Sequence, residues 1–378
     1  VITMDFTFNE EQTLIQDQVD QFVQKEYDWE TRQSLSNSDL GFGESNWQKF
    51  AELGWLGISV SEDSGGFGGS AIESMLIMEA FGKGLVVEPF LETMIMAGSL
   101  IDDHGSDEQK SSILEPAISG EMHLALAYAE PQSRFNLSDV VTEARAEGGN
   151  YILNGYKSVV MNGPSAKKII ISARTSSSQL DENGITLFIV DSDSKGLAKT
   201  NYKTVDGRRA SDLTLENVSV PKDNMVGSLD SGFEILDTAI DKAILAISAE
   251  AVGAMEILYK TTVEYTKTRE QFGTPIGKFQ VLQHRMVDMF MEYEQCKSLL
   301  YMATMKHEEG APDAKKAISG LKYQVGKAGK FIGQQAVQLH GGMGVTDELN
   351  VGHYFKRLTT VGTIFGNTDY HLKKYTSL

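Results

Sequence analysis

The sequence predicts an α+β chain of several domains: an N-terminal helical domain, a middle antiparallel β-barrel or sandwich, and a C-terminal helical bundle. Three observations predict it. Helical patterns with caps and glycine stops fill residues 4–120. Over 121–228 the apolar spacing shortens to strand-like runs parted by Gly, Asn, Asp and Ser turns. Over 229–378 long Ala-rich helical stretches return. A chain of 378 residues is long enough to give each part its own core.

Each element has a local reason. Asn9 precedes Glu10-Glu11-Gln12 as an N-cap. Residues 47–54 are amphipathic and end at a glycine. Gly65, Gly66, Gly68 and Gly69 crowd a tight loop after Glu62. Ser70 caps the next helix, which carries Glu73, Ile77, Glu79 and Phe81 to a stop at Gly82-Lys83-Gly84. Runs 124–128, 151–155, 168–173 and 186–190 read as strands, and the alternating run 211–221 closes that block. Runs 239–265, with Gly253 as its weak point, 281–306 and 315–339 read as the helices of a bundle.

Composition narrows the function. Hydrophobic residues at 41% and aromatics at 9% describe a globular chain. No run of about 18 apolar residues occurs, so no membrane span is expected. Residues 1–12 are polar and acidic, so no signal peptide is expected either. The one cysteine, Cys296, excludes an internal disulfide framework and suits a reducing cytoplasm. A net charge of −18 argues against nucleic acid and anionic membranes as partners. Any anionic ligand then needs a local basic or N–H-rich pocket. No His, Cys, Asp and Glu spacing suggests a metal site.

One such pocket is legible. The stretch Gln338-Leu339-His340-Gly341-Gly342-Met343-Gly344 reads as a helix stopping at paired glycines, where backbone N–H groups can come close to a phosphate. Gln338 adds an amide that donates and accepts. Alone, this pattern serves equally as a C-cap. Arg269 alone reads as a surface cation with its stem over Tyr265. His340 reads as a packing or phosphate-side group, and His371 as a cap or a pocket residue.

Taken in order, several motifs resemble the acyl-CoA dehydrogenase family over nearly the whole chain. They are the Glu62…Gly65-Gly66-Phe67-Gly68 loop, Tyr128-Ala129-Glu130-Pro131, Asp206-Gly207-Arg208-Arg209-Ala210, Arg269-Glu270-Gln271-Phe272-Gly273 with Phe279-Gln280, and Gln338-x-x-Gly341-Gly342. The wording at 206–210 and 365–371 is most similar to small-subunit enzymes for dicarboxylyl or steroid side-chain CoA esters. The resemblance implies an acyl-CoA dehydrogenase fold and an oligomer, a dimer or tetramer of itself or with a paralogous subunit. It implies FAD lying across a subunit interface, with Arg269, Phe272, Gln280, Gln338, Gly341 and Gly342 holding the neighbour's adenosine-pyrophosphate. It places Tyr128, Thr368 and Tyr370 among the cofactor-binding residues. The implied substrate is an acyl-CoA thioester, α,β-desaturated by a carboxylate base and hydride transfer to flavin. The implied electron acceptor is an electron-transfer flavoprotein.

The chain departs from this pattern where the chemistry is done. The family's usual base, a Glu in an aromatic-Glu-Gly-Thr motif, falls on Gly366, and the alternative seat on the long helix falls on Ala243. The flavin pocket changes too: Ala129 replaces a hydroxyl residue, Arg134-Phe135-Asn136 replaces Gly-Ser-Asp, and Val159-Val160-Met161 replaces Trp-Ile-Thr. Four readings follow: a non-catalytic FAD-holding subunit of a hetero-oligomer, a catalyst with a displaced base, a flavin enzyme of oxygen-dependent chemistry, or a binding protein without flavin. For a displaced base the candidates are Asp369 and Asp241. Asp369 otherwise reads as a helix-start cap, and Asp241 as a solvated acid on a helix face.

Overall fold

A computed structural model describes residues 8–378. Residues 1–7, which carry part of the expectation about a signal peptide and the start of the first domain, lie outside the described residues. The chain forms two compact units. One comprises the residues up to Ser34, Ser70–Val86 and Ile244–Leu378; the other comprises Leu35–Gly69 and Val87–Ala243.

The first unit is helical, as the apolar spacing requires. Helix Glu10–Glu26 starts at Asn9, whose side chain accepts from Gln12 N–H while Gln12 answers the Asn9 N–H. Helix Ala71–Gly84 starts with the same reciprocal cap, Ser70 with Glu73. This helix ends at Gly84, within the expected Gly82-Lys83-Gly84 stop. Gly82 also serves a contact: a Cβ on it would lie 1.9 Å from the Glu250 carbonyl oxygen, and one on Gly253 would lie 1.8 Å from that of Glu79. The two glycines let Ala71–Gly84 and the long helix Gly232–Thr268 touch backbone to backbone. Nearby, Arg357 grips the buried Glu250 carboxylate through Nε and Nη2 at 2.7 and 2.6 Å. Helices Gln280–Glu308 and Ala314–His340 follow. The latter buries Leu321, Val325, Ala328, Ile332, Ala336 and Leu339 at helical spacing. Val351–Val361 and Thr368–Ser377 end the chain's helices.

The second unit carries a mostly antiparallel sheet. Its strands are β1 Leu124–Ala127, β2 Glu143–Glu147, β3 Asn150–Met161, β4 Lys168–Arg174, β5 Ile185–Asp191, β6 Leu197–Lys203, β7 Arg209–Pro221 and β8 Met225–Val226. The order is β6-β7-β3-β2-β4-β5-β8, with β1 beside β4. β1 runs parallel to β4, as does β2 at its single pairing, Glu143 with Arg174. Tyr151, Leu153, Ile169, Ile171, Phe188 and Leu213 belong to its core. The bulges in β3, between Leu153 and Gly155 and between Lys157 and Val160, re-aim the end of that strand. Among the described residues, no helix is long and apolar enough to cross a membrane.

Candidate functional site

In the helical unit, one corner gathers most of the residues that resemblance assigns to the cofactor. The Tyr265 ring stacks on His340, with centroids 4.2 Å apart. This joins the end of Gly232–Thr268 to the end of Ala314–His340, and Arg269 and Gly341 directly follow these two helix ends. His340 thus covers one face of the Tyr265 ring, and Arg269 stands exposed. His340 is a packing residue: it is buried and its Nδ1 meets the Ala336 carbonyl at 2.8 Å. After Arg269 the chain makes a two-residue hairpin, with Glu270–Gln271 against Thr274–Pro275. Its tip, Phe272 and Gly273, has φ of 56° and 76°. A phenylalanine in that conformation is uncommon, and here its ring is 93% exposed. Phe272 meets Phe279 edge-on at 6.2 Å, which brings in the exposed Gln280 at the start of the next helix. Gln338, Gly341 and Gly342 are exposed. A Cβ added to Gly341 or Gly342 would meet nothing within 4 Å. Gly341 needs its φ of 59°, but nothing within the chain requires glycine at 342.

The place where a base is expected is built in the opposite way. Gly366 is buried at φ 121°. A Cβ there would stand 2.5 Å from both His371 Nε2 and Tyr370 Cδ1. Lys322, 1% exposed, donates from Nζ to the carbonyls of Val361 at 2.7 Å and Gly366 at 3.1 Å. Burial alone pulls this amine down to about 7. His371, also 1% exposed, holds the Phe365 carbonyl through Nε2 at 3.0 Å. A carbonyl only accepts, so Nε2 carries the proton and Nδ1 is bare, with no hydrogen-bond partner. Burial, then the neighbouring Lys322, lowers the imidazole to about 4, so the ring is neutral at pH 7.

The candidate replacement bases fare differently from their expectations. Asn367, not Asp369, caps the last helix, accepting from Tyr370 N–H at 2.9 Å. Its short amide reaches that donor from the position just outside the helix, whereas Asp369 lies within the first turn and is exposed. Asp241 is not solvated: it is 3% exposed, on a helix whose neighbours around it are also buried. Ala243 is fully buried. Thr368 and Tyr370 stand at the start of the last helix, beside Gly366.

In the sheet unit, the Tyr128 stretch is held by an ion pair the sequence did not signal. Lys157 Nζ meets Glu130 Oε1 at 2.7 Å with both side chains buried, and reaches the Tyr128 carbonyl at 3.4 Å. Burial pulls the Lys157 amine down to about 8 against the pull of Glu130. Burial works against the Glu130 charge as well, but Lys157 and the N–H groups of Val141 and Thr142 outweigh it and keep that carboxyl low. Where the family carries a tryptophan, Val159 sits at φ 53° and is 54% exposed. Its N–H is held by Asp212 at 2.9 Å, which also accepts from the hydroxyls of Tyr156 and Tyr202. Arg134, in the altered Gly-Ser-Asp stretch, is likewise at positive φ, 50°. Among the described residues, no group of three His, Cys, Asp or Glu side chains could hold a metal.

Three family models tile the chain: the acyl-CoA dehydrogenase N-terminal domain over 9–121, the middle domain over 125–218 and the C-terminal domain over 230–375. The chain belongs to the acyl-CoA dehydrogenase family. A 3-(aryl)acrylate reductase of Clostridium sporogenes is 32% identical over 85% of this chain and 86% of its own. A short-chain-specific acyl-CoA dehydrogenase of Clostridium acetobutylicum is 31% identical over 92% of both. Among solved structures, the ChsE4–ChsE5 complex of Mycobacterium tuberculosis matches with a TM-score of 0.90 and 25% identity, over 99% of this chain and 98% of that one. Members of this family are flavoprotein oxidoreductases acting on CH–CH bonds of fatty-acid metabolism.

Proposed function

We propose that this chain is the FAD-holding, base-free subunit of a hetero-oligomeric acyl-CoA dehydrogenase of the small-subunit branch. The observation that carries this reading is the packing at Gly366. This chain carries no carboxylate where the family's base stands, and the first atom of any side chain there would overlap His371 and Tyr370 as they are packed. The other seat is a buried alanine.

The corner at Arg269 fits a dinucleotide pyrophosphate. Arg269 supplies a cation whose charge is not spent within the chain's core, and Gly341 and Gly342 leave open space for a phosphate to approach their N–H groups. Phe272, on a strained tip with its ring in solvent, suits a neighbouring surface rather than its own unit. Gln280 and Gln338 add amide groups at the same corner. When bound, FAD supplies the acceptor for the hydride leaving the β-carbon of an acyl-CoA thioester. This chain's residues hold and orient it across the subunit interface. The proton α to the thioester goes to a carboxylate of the partner subunit, and an electron-transfer flavoprotein takes the electrons onward. The likeness to a two-subunit complex supports the same reading.

The test is the flavin content of the chain purified alone and with its paralogous partner. Alone it should retain far less than one FAD per chain and bleach with no acyl-CoA. With the partner, flavin should approach one per two chains and bleach with substrate. A chain that alone keeps a full complement of FAD and desaturates an acyl-CoA would overturn the proposal.

A further inference from the structure

We infer that His371 closes the base seat: its imidazole fills the volume that any side chain at position 366 must enter, and hydrogen bonds from two helices hold the loop around it shut. The inference rests on the base-free reading and deepens it. A glycine at the seat would by itself be a simple loss, reversible by restoring a glutamate. The geometry describes a seat that is filled.

Consecutive carbonyls of the loop 361–366 are held from different sides. Phe365 is held by His371, from helix Thr368–Ser377, and Gly366 by Lys322, from helix Ala314–His340. Phe365 itself stands at φ 60°, so the loop is bent sharply just before the seat. The His371 ring has little room to swing away. It is 1% exposed, bonded through Nε2, and meets the Tyr370 ring edge-on at 5.1 Å. The three atoms that a Cβ at 366 would strike, His371 Nε2 and Cδ2 and Tyr370 Cδ1, belong to this packed pair. Removing the imidazole removes two of them and frees the third to move. His371 is thus a positioning residue of negative effect: it touches no substrate, and it excludes the reacting group.

A double-mutant cycle on the full chain tests this. Gly366→Ala, His371→Ala and the double variant are compared by apparent melting temperature. The strain of placing an alanine at φ 121° is common to both backgrounds and cancels in the cycle. What remains is the contact between the new Cβ and the imidazole. Gly366→Ala should lower the melting temperature markedly in the native background and by less than half as much beside His371→Ala. A Gly366→Ala chain that fails to fold, rescued by His371→Ala, is the same result in stronger form. Equal losses in the two backgrounds, or a double variant as unfolded as the single, would overturn the inference. The flavin count reads the other proposal separately. A self-sufficient holoenzyme would sink the hetero-oligomer and leave the coupling at 366 intact, whereas an additive cycle would leave the flavin count intact.

Discussion

Gly342 and Gly366 each sit in a motif of the family, and their surroundings are opposite. At Gly342 nothing stands within 4 Å of where a side chain would begin; at Gly366 two rings stand at 2.5 Å. The first glycine leaves room for something outside the chain, and the second lets the chain pack against itself. The corner offered outward is open, exposed and tipped by an aromatic in solvent. The place where this chain would do chemistry alone is buried and pinned by Lys322 and His371. A glycine by itself says nothing about function, and the difference is made by what surrounds it.

The comparison predicts a wide spread of stability effects, and the largest belongs to the closed side. Gly366→Glu places a charge, a Cβ overlap and a positive-φ side chain in one buried position. A loss of roughly 3–5 kcal/mol is expected from these named causes together. Chemical denaturation against the native chain measures it. A loss under about 1 kcal/mol would mean the seat is open after all.

Lys322→Met comes next. It removes the donor that serves two buried carbonyls, which costs about 2 kcal/mol at neutral pH. It also removes a titration. Burial puts the folded amine at about 7 against an ordinary 10.5, so between those values the unfolded chain binds more protons than the folded one. Stability of the native chain therefore rises with pH across that window, and the burial penalty is present in full below it. Lys322→Met should abolish that slope, so the gap between native and variant widens from pH 7 to pH 9. Melting curves at both pH values check it. A gap that stays the same would show that the amine is still charged at pH 9.

Much of this contrast was legible in the sequence, for a physical reason. Periodicity reports burial of one face, so helices such as Ala314–His340 and strands such as β4 and β5 stood out by their apolar runs. β2 did not, because only Ala144 of its five residues is buried. β6 did not either, since none of its residues is fully buried. The Gly82-Lys83-Gly84 stop was legible because glycine commonly ends helices, but only the crossing with Glu250 shows Gly82 as a contact point. The absence of a carboxylate at 366 and 243 was plain from the letters. That the first absence is enforced was not, because His371 is five residues on and Lys322 forty-four residues back. The Lys157–Glu130 pair was hidden likewise: a lone lysine in an alternating strand reads as solvated until the fold buries it.

The smallest stability effect should come from the open corner, and it separates the two kinds of glycine. Gly342→Val adds a branched side chain at a residue outside the left-handed region, with no neighbour to strike. Arg269→Gln removes an exposed cation whose backbone, not its side chain, ties the hairpin through Tyr265 and Ile276. Each should change the chain's own stability by no more than about 0.5 kcal/mol, the range of ordinary surface substitutions. Both should nevertheless weaken retention of FAD in the assembled oligomer, by tenfold or more for a lost charge contact worth about 1.4 kcal/mol. Arg269→Lys keeps the charge without the fork and should recover only part of that loss. Dialysis of the complex against free FAD, with melting of the isolated chain in parallel, reads the two quantities independently. If Gly342→Val melts early, the corner is part of the chain's own packing and its openness is not evidence for a ligand. If it melts normally and FAD stays, the corner faces something other than the cofactor, and Phe272 is left as an anchor for a partner surface alone.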